Sequence, residues 1–369
     1  MTPRQRIAHV CADRGIDITG TKGAAAHLRS LATALATQAD ITVHVARSPG
    51  LDTAHLPFRI AQFRSDDELA AALAAQAPTV VYERYSLGAT GGLRAARALG
   101  VPFVLEVNAP LVAEATAYRP DTVTDDARTA EAHLLAEADL VITVSGPLRD
   151  HVLAHRSGKP TVVVPNGCDP ALFQHSAVRR AEPTIGFLGH PKPWHGADRL
   201  VDILESVRGA GIDARLLIVG GGDGADGVAA VAAERGLSNE VEITGAVDQA
   251  TASALIGTAW VGLAPYEPND FFYFCPLKII EYMAAGIPVV ASDLGDIPDL
   301  LDTAGVVVDA GNDDAFVDAV VAFINDGNRA QRLGEAGRAR ALGSFTWSDA
   351  AAITLDAIHE VLAGRGAAT

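Results

Sequence analysis

Of the 29 basic residues in this chain only four are lysines: Lys22, Lys159, Lys192 and Lys278. Lysine scarcity beside abundant alanine is what a GC-rich gene yields, but the positions carry more information. Three of the four stand in glycine- or proline-marked segments, "GTKG", "PKPWHG" and "PLK". A primary ammonium serves phosphate as a compact, mobile point charge, so these segments are candidate anion sites. In the first, Gly20, Thr21, Lys22 and Gly23 lead into a helix whose amides and dipole favour an anion. The segment matches neither GxGxxG nor GxxxxGK[ST], and a plain strand-to-helix turn is its alternative reading. In the second, Gly189 and Gly196 bracket His190, Lys192, Trp194 and His195. Two histidines five apart suit a metal only with a third ligand, and none is near; a cationic loop facing phosphate fits better. In the third, Pro276 suits a helix start and Gly286 its cap, which leaves the amides of Leu277 and Lys278 available. Glu281 follows one turn later among Ile279, Ile280, Tyr282 and Met283. A carboxylate there accepts hydrogen bonds from a diol such as that of ribose, or pairs with an arginine across the helix surface.

Positioning these groups requires strand ends. Short apolar strands such as "RIAHVCA", "ITVHVAR" and "PFVLEVN" alternate with alanine-rich amphipathic helices through the first half of the chain. The pattern restarts at "TIGFLG" and runs through "ARLLIVGGG", "WVGLAPY" and "PVVAS". Such alternation predicts parallel sheets covered on both faces. With 369 residues, two α/β domains facing each other across a cleft are expected: residues 1–174, residues 175–345, and a closing helix in 346–369 that packs back at the domain junction. The polar stretch "QHSAVRRAEP" reads as the linker. The exit "LLIVGGGDG" permits a planar group to approach the backbone near Gly221.

Bulk composition narrows the partners. No apolar run is long enough to span a bilayer, and the N-terminus has no signal-peptide pattern. Three scattered cysteines argue for a reducing, cytoplasmic setting. Residues 1–175 hold 16 Lys and Arg against 18 Asp and Glu, and the remainder 13 against 27, for a net charge of −16. With no basic cluster in either half, neither nucleic acid nor strong membrane association is expected.

The turn "PNGCDPALF", together with "GFLGHPKPWHG", "LLIVGGG", "ITGAV" and "PLKIIEYMAAGIPVVASDLG", makes the chain resemble glycosyltransferase family 4 over nearly its whole length. The resemblance implies a GT-B fold of two doubly wound Rossmann-like domains and retaining transfer from a nucleotide sugar, with no cofactor or essential metal. Glu281 matches the second glutamate of the family's E-x7-E element, which holds the donor ribose. The first glutamate falls at Tyr273, so Tyr273, Phe274 and Cys275 become the expected determinants of donor-sugar choice. The Arg and Lys that clamp the diphosphate fall at His190 and His195; Lys192, with His190, is then expected to stabilise the leaving group beside Gly189. Gly221, Thr244 and Val247 are expected at the base. The family's first-domain histidine falls at Asn108, which hydrogen-bonds a hydroxyl but is no base.

Acceptor contacts are expected from Arg84, Tyr85 and Glu106, with a buried Arg84–Glu106 pair as the alternative. The expected acceptor is a small soluble molecule such as a specialised metabolite or thiol precursor, and the protein a monomer or homodimer. A sugar-nucleotide epimerase of the same fold and a transferase acting on a cell-envelope glycolipid or polysaccharide are the rival readings.

Overall fold

A computed structural model describes residues 4–173, 178–192, 195–269 and 271–366. The expected linker begins at 174–177, outside the described residues. The chain divides into two compact units. One comprises Met1–Gly20, Ala24–Pro165 and Trp347–Thr369; the other comprises Thr21–Gly23 and Asn166–Thr346.

The first unit alternates strands and helices: β1 (Arg6–Cys11), α1 (Gly23–Ala36), β2 (Asp40–Val45), β3 (Arg59–Gln62), α2 (Asp66–Gln76), β4 (Val80–Arg84), α3 (Gly91–Leu99) and β5 (Phe103–Val107). It continues through α4 (Leu111–Tyr118), α5 (Asp125–Glu137), β6 (Leu140–Thr143), α6 (Gly146–Leu153) and β7 (Thr161–Val163). All seven strands are parallel, in the order β3-β2-β1-β4-β5-β6-β7. Strands buried on both faces explain the predominantly apolar runs of β4 to β6, into which Glu83 and Glu106 are buried as well. Hydroxyl caps start α2, α5 and α6, where Ser65, Thr124 and Ser145 accept from the amide three residues on.

The second unit repeats the scheme with β8 (Thr184–Leu188), α7 (Arg199–Gly209), β9 (Arg215–Val219), α8 (Asp223–Glu234), β10 (Val241–Ile243), α9 (Gln249–Ile256) and β11 (Val261–Ala264). Then come α10 (Leu277–Ala285), β12 (Val289–Asp293), α11 (Ile297–Leu301), β13 (Gly305–Asp309), α12 (Asp313–Asn325) and α13 (Gly327–Ser344). Its six parallel strands run β10-β9-β8-β11-β12-β13. Gly286 ends α10 in the left-handed conformation, φ 74°, as its sequence position predicts. A Cβ at Gly334 of α13 would overlap the Gly286 carbonyl oxygen, so the two helices meet through missing side chains. The closing helix α14 (Trp347–Gly366) follows the second unit in sequence yet belongs to the first. Trp347, Ala350, Ala351, Thr354, Leu355 and Ile358 form its buried stripe at helical spacing.

Two buried ionisable groups of the first unit contribute opposite pH dependences to its stability. Burial drops His9, which packs edge-on against Tyr82 at 4.8 Å, to about 4. Burial, with Asp66 adding to it, raises Glu83, which lies against Gly92 at the start of α3, to about 8. A folded-state pKa below the unfolded one makes His9 cost stability as pH falls from 6.5 towards 4. A raised carboxyl does the reverse, because the folded state holds a proton that the unfolded chain releases between pH 4.5 and 8. Glu83→Gln is therefore expected to raise the melting temperature by several degrees at pH 8 and to leave it near that of the wild type at pH 4.5. A shift of equal size at both values would refute this assignment.

Candidate active site

In the second unit the strand order reverses at β8: the chain runs outward from β8 through β9 to β10, then crosses back to β11 on the other side of β8. The carboxyl ends of two such strands mark where open α/β sheets bind ligands. Here β8 and β11 pair only through Ile185 with Val261 and Gly186 with Gly262. Beyond these residues the Tyr282 hydroxyl stands between the strands, accepting from the Leu188 amide at 2.8 Å and donating to the Leu263 carbonyl at 3.0 Å.

Tyr282 belongs to α10, whose start faces this point. The N-cap is Pro276, which offers no side-chain acceptor, so the first-turn amides are left for another anion or polar group. Asn166 of the "PNG" turn fixes the approach: its Nδ2 donates to the Cys275 carbonyl at 2.7 Å, and its amide donates to Cys275 Sγ at 3.2 Å. Thr21–Gly23 group with this unit, and a Cβ at Gly23 would lie 3.6 Å from Leu277 Cδ1. Two of the three lysine-bearing segments thus meet at one helix start. Gly20 remains in the first unit, in a turn closed by its amide to the Asp17 carbonyl at 2.9 Å.

The side chain of Lys278 turns inward. The residue is only 8% exposed, with Nζ 4.0 Å from the Phe187 ring centroid and 5.2 Å from that of Tyr266. Burial lowers its pKa to about 7, against a smaller upward pull from Glu281. Burial likewise raises half-buried Glu281 to about 7, opposed by a hydrogen bond from Gln249 and by the charge of Lys278. Its carboxylate therefore has an amide partner on α9 rather than an arginine across its own helix.

The loop after β8 is held by its backbone. His195 Nδ1 lies 3.0 Å from the His190 carbonyl oxygen, and burial followed by the Lys278 charge keeps the imidazole neutral, at about 3. Lys192 is exposed; Trp194 lies outside the described residues. The Gly189 amide donates to the Val219 carbonyl at 2.9 Å. A Cβ at Gly220, φ 151°, would overlap the Gly189 carbonyl oxygen, and one at Gly222 would approach His190 Cδ2 to 3.2 Å. A Cβ at Gly221 would lie 3.1 Å from the Gly245 Cα and 3.3 Å from the Ala246 amide nitrogen. The triple glycine thus makes room for the chain's own loops. Thr244 Oγ1 accepts from the Gly220 amide at 3.2 Å, and Val247 packs on the adjacent core. Tyr273 is buried against Phe274, 4.2 Å between ring centroids, and Phe271, 5.6 Å; Phe274 also meets Phe272. Burial raises the Cys275 thiol to about 12.

The remaining predicted residues lie in the first unit. Glu106, on β5, is buried and accepts from His27 Nε2 at 2.8 Å and the Tyr82 hydroxyl at 2.7 Å, with Arg84 Nη1 3.5 Å away. Burial alone would raise its pKa, but His27 and Arg84 hold it well below the usual carboxylate range. The Tyr85 hydroxyl donates to Glu131 at 2.7 Å. Of the expected acceptor set, Tyr85 and Glu106 thus have interior partners, and the buried-pair alternative describes Arg84 and Glu106. Asn108 sits 3.5 Å from His27 through Nδ2, and its Oδ1 has no hydrogen-bond partner among the described residues. Sequence reasoning passed over His27 and Tyr282, and it singled out the Lys278 ammonium without its inward course. A tyrosine inside an otherwise apolar helix did carry a signal, since a buried hydroxyl needs a partner.

Two family models match consecutive parts of the chain: "Glycosyltransferase Family 4" over residues 21–172 and "Glycosyl transferases group 1" over residues 182–326. A GDP-mannose-dependent α-(1-6)-phosphatidylinositol monomannoside mannosyltransferase of Mycobacterium tuberculosis is 30% identical over 208 residues, 52% of this chain and 54% of that protein. The chain thus spans about half the length of that relative. A D-inositol 3-phosphate glycosyltransferase of Segniliparus rotundus is 26% identical over 78% of this chain and 67% of its own. Among solved structures, the sucrose-phosphate synthase of Thermosynechococcus elongatus superposes with a TM-score of 0.81, at 19% identity over 98% of this chain and 100% of the other. Anabaena HepE in complex with UDP-glucose gives 0.74, also at 19% identity, over 98% and 100%.

Proposed function

We propose, for a chain that belongs to glycosyltransferase family 4 and has the GT-B fold, that its second unit binds a nucleoside-diphosphate sugar and that the protein transfers the sugar with retention to a hydroxylated acceptor. One observation carries this reading: an uncapped helix start at the β8–β11 switch point, bearing a buried ammonium and, one turn on, a carboxylate. The ends of a diphosphate-ribose unit require these two kinds of group, at about this separation. Amides of Leu277 and Lys278, with Thr21–Gly23 beside them, take the diphosphate; Glu281 takes the ribose diol; Thr244 and Val247 lie at the base. Relatives named as GDP-mannose-dependent and a neighbour solved with UDP-glucose agree with such a donor. Departure of the diphosphate needs fixed positive charge at the leaving oxygen, which a helix start and a lysine supply without a metal.

In the first unit, the Asn108 Oδ1 is an acceptor for a sugar or acceptor hydroxyl. A small soluble polyol acceptor fits the absence of a basic cluster in the sequence. The glycolipid reading is the second one, favoured by relatives whose names specify phosphatidylinositol acceptors. Among the described residues no helix is long and apolar enough to cross a membrane.

A thermal-shift panel of UDP, GDP, TDP and ADP tests the donor. One of them is expected to raise the melting temperature, and its sugar conjugates to give product with inositol-type or lipid-linked acceptors, undiminished by EDTA. Stabilisation by none of the four would overturn the donor reading. Loss of turnover in EDTA, restored by a divalent cation, would overturn the metal-free mechanism. Epimerised sugar nucleotide without acceptor would replace transfer by isomerisation.

A further inference from the structure

We infer that the side chain of Lys278, rather than that of the loop lysine Lys192, is the cation that meets the donor diphosphate, and that it takes up a proton from solvent as the anion binds. This rests on the donor reading above and deepens it. A helix start attracts anions weakly by itself; what distinguishes this one is the amine buried behind it. Nζ has no hydrogen-bond partner among the described residues, and the aromatic faces of Phe187 and Tyr266 are what it touches. Aromatic faces favour a cation but satisfy none of its N–H groups. An ammonium so placed lacks the acceptors that burial normally demands. A diphosphate at the Leu277–Lys278 amides would bring both acceptor oxygens and negative charge to it.

The surroundings leave few other sources of charge. From its own helix Glu281 faces Lys278, and from the loop after β8 comes His195. Tyr266, just after β11, faces it with its ring, and burial keeps that residue's hydroxyl protonated. His195 is held neutral, so it adds no cation. Lys192 is exposed, where water screens a charge and holding the flexible side chain against a ligand costs entropy. With its pKa lowered to about 7, Lys278 is largely neutral in the free protein at pH 8.5 and becomes charged only when an anion compensates it.

Titration calorimetry of the best-binding nucleoside diphosphate, run in buffers of different ionisation enthalpy, reads the proton directly. At pH 8.5 the ligand's terminal phosphate is already ionised, so uptake reports on the protein. The wild type is expected to take up close to one proton at pH 8.5 and far less at pH 6. Lys278→Met is expected to abolish the uptake and to weaken the diphosphate about 100-fold, while changing affinity for the bare nucleoside less than threefold. Lys192→Met should cost at least ten times less affinity than Lys278→Met. Because methionine replaces an unpartnered buried amine with an apolar group of similar length, the ligand-free variant should melt at or above the wild-type temperature. Should Lys278→Met fail to fold, the wild-type proton count still decides. Diphosphate binding without uptake at pH 8.5, or uptake that persists in Lys278→Met, overturns the inference and leaves the donor reading standing. Failure of the wild type to bind any of the four diphosphates overturns both.

Discussion

Glu281→Ala is expected to weaken donor binding by about 100- to 1,000-fold while leaving the protein folded. A ribose diol can donate two hydrogen bonds to one carboxylate, and bonds to charged groups contribute roughly 1.5–3 kcal/mol each. The lower half of that range, taken for both bonds, converts to about two or three decades of affinity at about 1.4 kcal/mol per decade. The pH dependence identifies the group. Burial raises Glu281 to about 7, so its ionised fraction rises between pH 6 and 8 and pulls donor affinity up with it, against the fall that proton uptake at Lys278 imposes above pH 7. Glu281→Gln retains an acceptor oxygen and Gln249 as a neighbour; it should lose less affinity and lose this part of the pH dependence. Stability moves the other way. A carboxyl raised in the folded state contributes stability that is lost as pH climbs from 4.5 to 7, so neither variant should melt below the wild type at pH 8. Measuring KM for the donor and the dissociation constant of the nucleoside diphosphate from pH 6 to 8 checks both points. Unchanged values in Glu281→Ala would remove the ribose assignment.

How far such a site can be read from sequence depends on the distance over which its parts act. Strand and helix alternation is local, and both sheets follow from it. Pro276 and Gly286 act within one helix, so the boundaries of α10 were also legible. The interior of each unit was not. Glu106 finds His27 across 79 positions of sequence, and nothing in "LEVNAP" or "AAAHLRS" announces the other. Lys278 was legible as a helix-start residue, but whether its four-carbon stem leads outward to solvent or inward between Phe187 and Tyr266 depends on how β8 and the segment after β11 pack against α10. The triple glycine was visible, but the group that needed the space was not. An approaching planar ligand and an approaching backbone demand the same absent Cβ, and here the 189–191 loop fills the room at Gly220 and Gly224. The last helix shows the same limit: a helix with no following strand carries no local mark of which sheet it covers, and α14 joins the first unit.

Gly262→Ala is expected to destabilise the second unit by about 3 kcal/mol. A Cβ there would sit 2.7 Å from the Tyr282 ring, well inside van der Waals contact, and the ring is fully buried with no room to retreat. The same ring carries the hydroxyl that joins Leu188 to Leu263 where β8 and β11 part. Tyr282→Phe keeps the ring and removes that bridge, leaving an amide and a carbonyl buried without partners, at a cost of about 2 kcal/mol. If Gly262→Ala acts by displacing the ring, it has already broken the bridge, and removing the hydroxyl as well should add little. The double variant should therefore cost at least 1 kcal/mol less than the sum of the singles in urea denaturation. Donor binding should separate the two singles further. Lys278 lies one turn before Tyr282 on α10 and Glu281 directly precedes it, so a displaced ring shifts both groups, whereas a missing hydroxyl leaves the helix in place. Gly262→Ala should thus raise the donor KM by about tenfold or more and Tyr282→Phe by much less. Additive stabilities, or a Gly262→Ala protein that binds donor as the wild type does, would break the link between this glycine and the position of α10.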